Sequence, residues 1–428
     1  LIQPEPNLKT EAIAGITTFF TMAYIVIVNP QILSAEGKTG MAFSGVLTAT
    51  VLVCFTMTLL MGLYAKLPFA VAPGMGINAF FTYTIILGKG VAWPTALGII
   101  FWAGVFFLLI SITPIRESIA KAIPHEIRIA AAAGIGIFLT FIGLKNAGFI
   151  VSDPITLVKL GALGKPALLT ILGIAISAFL ISRKSPFAFL SAIVSVTIIS
   201  WAGGLVPTPP QLLTLPDFKS VFFKLDVMGA LKLSLLPSII SILFTDLFDS
   251  ISTFIGVAHA TDLLDNEGHP RNLREGLIVD SFATLGAGLA GSSSGTAYIE
   301  SVAGIRMGGR SGLTSVFTAL CFLPCFFIAP IAGMVPPYAT ASVLILVGAA
   351  MFTSIGQIKF SKLEEGVPAF LTLILIPLTF SITQGILWGF ISHVGLYLMV
   401  GRRRDIHPLM YLLALIAIGL LVLERVRF

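Results

Sequence analysis

An all-α polytopic membrane protein with fourteen transmembrane segments in a seven-plus-seven inverted repeat is the fold class that the sequence predicts. Of its 428 residues, 56% are hydrophobic and only 11% charged, with a mean hydropathy of +1.00. No soluble domain of this size buries that much apolar surface. The apolar runs are continuous rather than short and alternating, which excludes a β-barrel. A Pro-rich connection at about 206–230 (Pro207, Pro209, Pro210, Pro216) leaves seven segments on each side. An odd number per half makes the second half enter the membrane in the opposite sense.

Taken in order, the apolar segments fall at 12–29, 42–64, 70–88, 92–113, 127–144, 166–182 and 187–205. After the connection come 233–258, 276–290, 296–305, 312–333, 340–355, 366–382 and 384–400, with a further run at 408–424. If the N-terminus is cytoplasmic, sixteen basic residues fall on the cytoplasmic side and eight, all Lys, on the other; Arg425 and Arg427 complete the 26. This bias accounts for the net charge of +6 without a nucleic-acid partner, because the basic residues stand mostly singly in short loops. A membrane-spanning run at 408–424 would place Arg425 and Arg427 outside, so an interfacial or peripherally packed helix is expected there. Residues 1–10 are polar, show no signal-peptide pattern and lack an initiating Met, which predicts a trimmed N-terminus. Cys54, Cys321 and Cys325 lie in apolar runs and suggest no disulfide framework; Cys321 and Cys325, without a nearby His or acid, make a poor metal site. His125, His269 and His407 are placed in loops, His259 ends span 8 and His393 is isolated in span 14, so no metal cluster is expected.

The polar residues inside these runs mark a candidate site. The stretch Gly291-Ser292-Ser293-Ser294-Gly295 cannot face lipid, because its peptide groups would lack partners there. It is expected to line a protein-enclosed cavity, with a half-length helix starting near Thr296 and Glu300 about one turn inside it. Span 3 carries the matching interruption in the first half, Pro73-Gly74-Met75-Gly76-Ile77-Asn78. Asp246 and Asp249 stand at i, i+3 in span 8, followed by Ser250 and Thr253 on the same stripe. An acid at this depth costs roughly 2.5–3.5 kcal/mol on insertion scales and usually has a task, here substrate binding or carriage of a proton. No basic residue is predicted at the same depth. Asn78 either caps its half-helix or offers its amide to a ligand, and Tyr298 and Phe80 either pack or stack on a flat ring. Asp280 is expected nearer the cytoplasmic end, paired with Arg274 or Arg271. Excess acid, one amide and aromatic faces suit a planar, neutral, N–H-rich heterocycle rather than an anion.

Four motifs together resemble the adenine/guanine/hypoxanthine permease branch of the nucleobase/ascorbate transporter family. They are Gly74-Met75-Gly76-Ile77-Asn78-Ala79-Phe80-Phe81, Asp246-Leu247-Phe248-Asp249-Ser250 with Thr253, Tyr298-Ile299-Glu300-Ser301, and Gly308-Gly309-Arg310-Ser311-Gly312-Leu313. The resemblance runs from Glu11 to about His407. It implies a core domain of spans 1–4 and 8–11 (residues 1–113 and 231–335) and a gate domain of spans 5–7 and 12–14 (114–205 and 336–402). Residues 206–230 then form an extracytoplasmic connection and 403–428 a C-terminal apolar segment. The resemblance further implies a secondary transporter rather than an enzyme, importing guanine, hypoxanthine or adenine by proton symport from the plasma (inner) membrane. By motif, Asp246 and Glu300 match the family's substrate-binding acids, Asp249 its second span-8 acid and Asn78 its span-3 polar residue. Tyr298 or Phe80 is expected to stack on the base, and Asp249, Asp246 or Glu300 to take the coupling proton. No cofactor or metal is expected beyond the coupling ion, and a homodimer through the gate domain is implied. Ser252 stands where Gly is expected, while Gly295 and Ala297 stand where Thr or Ser is common, which bears on the choice among purines. The rival expectations are a same-fold carrier of uracil, xanthine or an anion, and an intramembrane aspartyl hydrolase. The latter should carry its aspartates on separate spans with a Gly-x-Gly-Asp run, which the sequence lacks.

Overall fold

The computed structural model describes residues 7–113, 122–264, 270–358 and 360–425. The expectations placed on His269 and Arg427 fall outside the described residues. Helix α1 (Leu8–Met22) opens at Asn7, whose side chain accepts from Lys9 N at 3.0 Å. It bends at Ala23–Tyr24 into α2 (Ile25–Ser34), which carries Pro30 inside. Helix α3 (Phe43–Leu60) continues through a π turn at Met61–Ala65. Strand β1 (Val71–Pro73) then leads into α4 (Met75–Ala79) and a π-helical segment Phe80–Gly88, followed by α5 (Trp93–Ile112). Next come α6 (His125–Asn146), an exposed hairpin of β2 (Ile150–Asp153) and β3 (Leu157–Leu160), α7 (Lys165–Ser182) and α8 (Ala188–Ala202).

The second half begins with α9 (Leu236–Thr261) and α10 (Leu273–Ala290), then β4 (Gly295–Ala297) and α11 (Ser301–Arg306). It continues through α12 (Gly312–Phe322), α13 (Ala329–Gly333), α14 (Pro337–Phe352), α15 (Leu363–Thr379), α16 (Ile382–Met399) and α17 (Pro408–Arg425). Among the described residues, eight helical stretches are long and apolar enough to cross a bilayer, and shorter apolar ones lie between them, including Met75–Gly88 and Gly312–Phe327. The remaining expected spans are atypical for physical reasons. Helix α10 carries Arg274, Glu275 and Asp280, α15 has 17 residues and two internal prolines, and 296–305 is part strand.

The helices pack in two groups. In the first, α1 lies on α12, α3 on α10 and α12, and α5 on α9 and α10. In the second, α6 lies against α14 and α15, α15 against α16, and α7 against α8 and α14. Glycines set the closest crossings: a Cβ on Gly312 would lie 1.9 Å from the Gly62 carbonyl oxygen, so only two bare backbones fit there. Glu11, 2% exposed, ties the first group together where α1 begins. Its carboxylate accepts from Arg310 N and Thr314 N, each at 3.1 Å, and from the Thr314 hydroxyl, satisfying donors at the start of α12. The Pro-rich connection crosses the opposite end of the same group, with Phe223 N bonded to Leu289 O at 2.9 Å and Asp226 N to Pro94 O at 2.8 Å. Helix α17 lies along α16 with Met410, Leu413, Ala414 and Ala417 buried and Leu412 and Leu415 exposed, the peripheral packing that its flanking arginines favour.

Candidate functional site

The two interrupted segments meet. Strands β1 and β4 pair antiparallel, Val71 opposite Ala297, Ala72 opposite Thr296 and Pro73 opposite Gly295. At membrane depth every peptide group needs a partner, and this crossing supplies them. Gly74 N donates to Ser294 O at 2.9 Å and Tyr298 N to Ala70 O at 2.9 Å, while Ala70 N reaches Ser301 Oγ at 3.0 Å. The expected half-helix from Thr296 is therefore corrected: residues 295–297 are strand, and the helix begins only at Ser301. Pairing with β1 holds the chain extended through Ala297. Glu300 consequently stands at the N-cap of α11 rather than one turn inside it.

Glu300 is half-buried, and its Oε1 accepts from the Tyr24 hydroxyl at 2.7 Å. The Tyr24 ring packs edge-on against Phe189 of the second group, ring centroids 5.2 Å apart, so this pair stands where the two groups meet. Asp249 lines a small cavity of about 50 Å³ between the groups, with Gly74, Gly76 and Ser252 on one side and Arg128, Ile135 and Met351 on the other. The expectation that no basic residue lies at this depth is corrected by Arg128, one turn into α6, which contributes to that cavity. Helix α4 approaches α6 closely because residue 76 is glycine: a Cβ there would stand 2.3 Å from Ile135 Cγ2. A larger cavity of about 740 Å³ opens at the far end of the same seam, lined by Gln31, Lys38, Tyr83, Lys145, Asn146 and Phe380 among others.

Asn78 is fully buried in an amide and hydroxyl network. Its Nδ2 donates to Asn29 Oδ1 at 3.1 Å, and Asn29 Nδ2 donates in turn to Thr50 Oγ1 at 2.8 Å and Ser292 Oγ at 3.0 Å. This network fastens the two interruptions to α2, and it leaves Asn78 Oδ1 without a protein partner. Phe80 is 1% exposed and Tyr298 5%; the Tyr298 hydroxyl donates to Pro73 O at 2.5 Å, so in this conformation both rings pack within the first group.

Asp246 is fully buried and turned toward α10, where it accepts from the Thr284 hydroxyl. Asp280 is fully buried as well, and its Oδ2 accepts from Ala297 N at 3.0 Å. The expected pairing of Asp280 with Arg274 or Arg271 is corrected: Asp280 faces β4, while the Arg274 guanidinium reaches the Ile112 carbonyl at 3.4 Å. The four acids thus divide, Asp249 and Glu300 toward the seam between the groups, Asp246 and Asp280 behind β4.

Sequence reasoning missed Tyr24 and Asn29 as site-forming residues. Each is a polar residue inside the apolar run of span 1, the same signal that found Asp246, but neither carries a charge to draw attention to it.

A helical membrane scaffold split into two groups, with paired interrupted segments and acids at the seam, is the architecture of a membrane permease. The chain belongs to the Permease family Xan_ur_permease, matched over residues 9–387, and with it to the nucleobase/ascorbate transporter family that its motifs resemble. Among its relatives, it is similar to the adenine permease AdeP of Escherichia coli, 42% identical over 417 residues that cover 96% of this chain and 92% of AdeP. It is also similar to the guanine/hypoxanthine permease PbuO of Bacillus subtilis, 36% identical with 97% and 98% of the two chains covered. Its fold matches the transmembrane domain of the cyanobacterial bicarbonate transporter BicA, with a TM-score of 0.67 at 18% identity over 90% of this chain and 98% of that one. The fold class is thus the seven-plus-seven inverted repeat, and the protein is a membrane permease and not an enzyme.

Proposed function

We propose that this permease imports purine nucleobases by proton symport, with the first group of helices acting as core and the second as gate in alternating access. The observation that carries this reading is the pair Asp249 and Glu300 at the seam, beside the β1–β4 crossing. Purines present ring and exocyclic N–H donors along one edge, which carboxylates accept, and flat faces that suit an apolar wall. The relatives named for adenine and for guanine and hypoxanthine support the same substrate class. In this reading Glu300, held by Tyr24, fixes one edge of the base; Asp249 faces it across the small cavity, and the Asn29–Asn78 network keeps both interruptions in register. The wide cavity at the end of the seam opposite the start of α1 is then the external vestibule, with the N-terminus cytoplasmic. In the plasma (inner) membrane, an inward proton gradient then drives the base inward.

Arg128 favours a second reading, an anion carrier, since it places a guanidinium on the cavity that Asp249 lines. Two acids oppose that one cation at the seam, which weighs against an anion. The test is uptake of radiolabelled purine by the Glu300→Ala variant. Loss of uptake with folded protein still in the membrane is the expected result, and normal uptake contradicts the assignment.

A further inference from the structure

At the wide end of the seam the two groups are tied by polar side chains as well as by packing. Gln31, in the last turn of α2, belongs to the first group and spends its whole amide on the second. Its Nε2 donates to Val335 O at 2.6 Å, and its Oε1 accepts from the Thr340 hydroxyl of α14 at 2.6 Å. A second tie runs from the π-helical segment, where the Thr84 hydroxyl donates to the carbonyl of Phe380, the residue that ends α15.

Gln31, Val335, Thr340 and Phe380 all line the cavity of about 740 Å³. That volume falls in the range of small-molecule sites, roughly 300–1,000 Å³, which pair apolar walls with a few placed polar groups. Ile32, Leu87 and Leu344 supply apolar wall, and two rings, Tyr83 and Phe380, border the space. The Phe380 ring is held by edge contacts with Phe138 and Phe141, centroids 5.3 and 5.2 Å away. The charged side chains of the described lining are Glu36, Lys38 and Lys145. Lys38 pairs with Glu36 at 3.3 Å, and Lys145 Nζ sits 5.7 Å from the centre of the Tyr83 ring. The uncharged amide of Gln31 is left as the recognition group between the two domains.

A primary amide presents one donor beside one acceptor. A purine edge presents the complement: N1–H beside O6 in hypoxanthine and guanine, an exocyclic N–H beside a ring nitrogen in adenine. The two fit through a pair of hydrogen bonds. Those bonds would use the same two Gln31 atoms that Val335 and Thr340 now hold, so base and tie compete for one amide.

We propose that this outer cavity is a second base-binding site, in which Gln31 reads the edge of an incoming purine, the Tyr83 and Phe380 rings lie against its faces, and the engaged base frees Gln31 from Val335 and Thr340. Recognition there is neutral, unlike that by the acids at the seam. Freeing Gln31 unties α2 from α14, so the arriving base loosens the outer contact between the groups before it reaches Glu300 and Asp249. This rests on the purine reading above and on the external placement of the cavity.

The test compares the two directions of transport by the full chain in right-side-out membrane vesicles: concentration-dependent uptake of radiolabelled hypoxanthine, and its efflux from preloaded vesicles. Gln31→Leu keeps the bulk and loses the amide. It should raise the KM of uptake about fivefold or more, the effect of losing a neutral hydrogen-bonding partner, and leave the half-saturation of efflux within about twofold. A tie with no role in binding gives the opposite sign, because its loss favours the outward-open state and lowers that KM. Thr340→Val removes the competing hydroxyl and leaves Gln31 in place, so its uptake KM should fall about twofold or more. An uptake KM unchanged or lowered in Gln31→Leu, an equal change in both directions, a change confined to efflux, or an uptake KM unchanged or raised in Thr340→Val overturns the proposal. Should Gln31→Leu fail to fold, Ala42→Trp decides. Ala42 is exposed and lines the same cavity apart from the tie, so the larger side chain should raise the uptake KM alone, and an unmoved KM overturns the proposal. Absence of any hypoxanthine transport by the wild-type protein would instead overturn the purine reading itself.

Discussion

Tyr24→Phe isolates the support of Glu300 from everything else in the site. The substitution keeps the ring that packs against Phe189 and removes only the hydroxyl, which donates to Glu300 Oε1 at 2.7 Å. A hydrogen bond to a carboxylate is worth about 1.5–3 kcal/mol. If that bond pre-orients Glu300 for the base, its loss weakens apparent affinity by about 10- to 150-fold, at about 1.4 kcal/mol per factor of ten. The assay is concentration-dependent purine uptake in proteoliposomes, with the amount of folded protein measured by size-exclusion profile. A raised KM with a maximal rate closer to wild type is expected, because the bond acts on binding rather than on the movement of the two groups. A KM within twofold of wild type, in folded protein, would refute the idea that Tyr24 holds Glu300 for the substrate.

Three further outcomes follow from other parts of the structure. Glu11→Ala strands the Arg310 and Thr314 amides at the start of α12, costing about 3 kcal/mol or more, so thermal unfolding in detergent should begin several degrees lower. Gly76→Ala places a Cβ 2.3 Å from Ile135 Cγ2, so turnover should fall at least tenfold with purine binding largely kept, and Ile135→Ala in the same chain should recover it. Asp153, in the exposed β2–β3 hairpin, is pulled down to about 2 by the Thr156 N–H, by Lys159 and by the Ile155 N–H. Because its folded value is the lower one, the ordering it gives the hairpin is complete above the unfolded carboxylate range. It is lost as pH falls toward 2, so the protection of the Ile155 and Thr156 amides, measured against the intrinsic exchange rate at each pH, should fall over that interval.

The parts of the fold that were legible in the sequence are those with a local signal. Continuous apolar runs announced the helices, and Gly74-Met75-Gly76 and Gly291 to Gly295 announced the two interruptions because small flexible residues break those runs. The β1–β4 pairing was not legible: each strand is three residues long, and its partner lies more than two hundred residues away, so neither carries a pattern of its own. That pairing is why the start of α11 moved from Thr296 to Ser301, and Glu300 with it. Asp280 was misplaced for a related reason. Its distance along the chain from Arg274 suggested a common depth, but the rotation of α10 turns Asp280 onto β4 and Arg274 toward Ile112. Arg128 shows the converse: it stands at the start of the apolar run 127–144, where nothing in the run itself signals a site, yet one turn into α6 it reaches the seam. The acids of span 8 were found as residues, whereas their division between the seam and the compartment behind β4 depends on packing that no single segment encodes.

The central claim, proton-driven purine import, is tested most directly by radiolabelled hypoxanthine uptake into proteoliposomes with and without an imposed inward-acid gradient. Competitors would be unlabelled guanine, adenine, uracil, xanthine and sulfate. The account predicts accumulation above equilibrium only with the gradient, blocked by guanine or adenine and untouched by sulfate. Uptake indifferent to the gradient, or blocked by uracil or sulfate and not by purines, would contradict it.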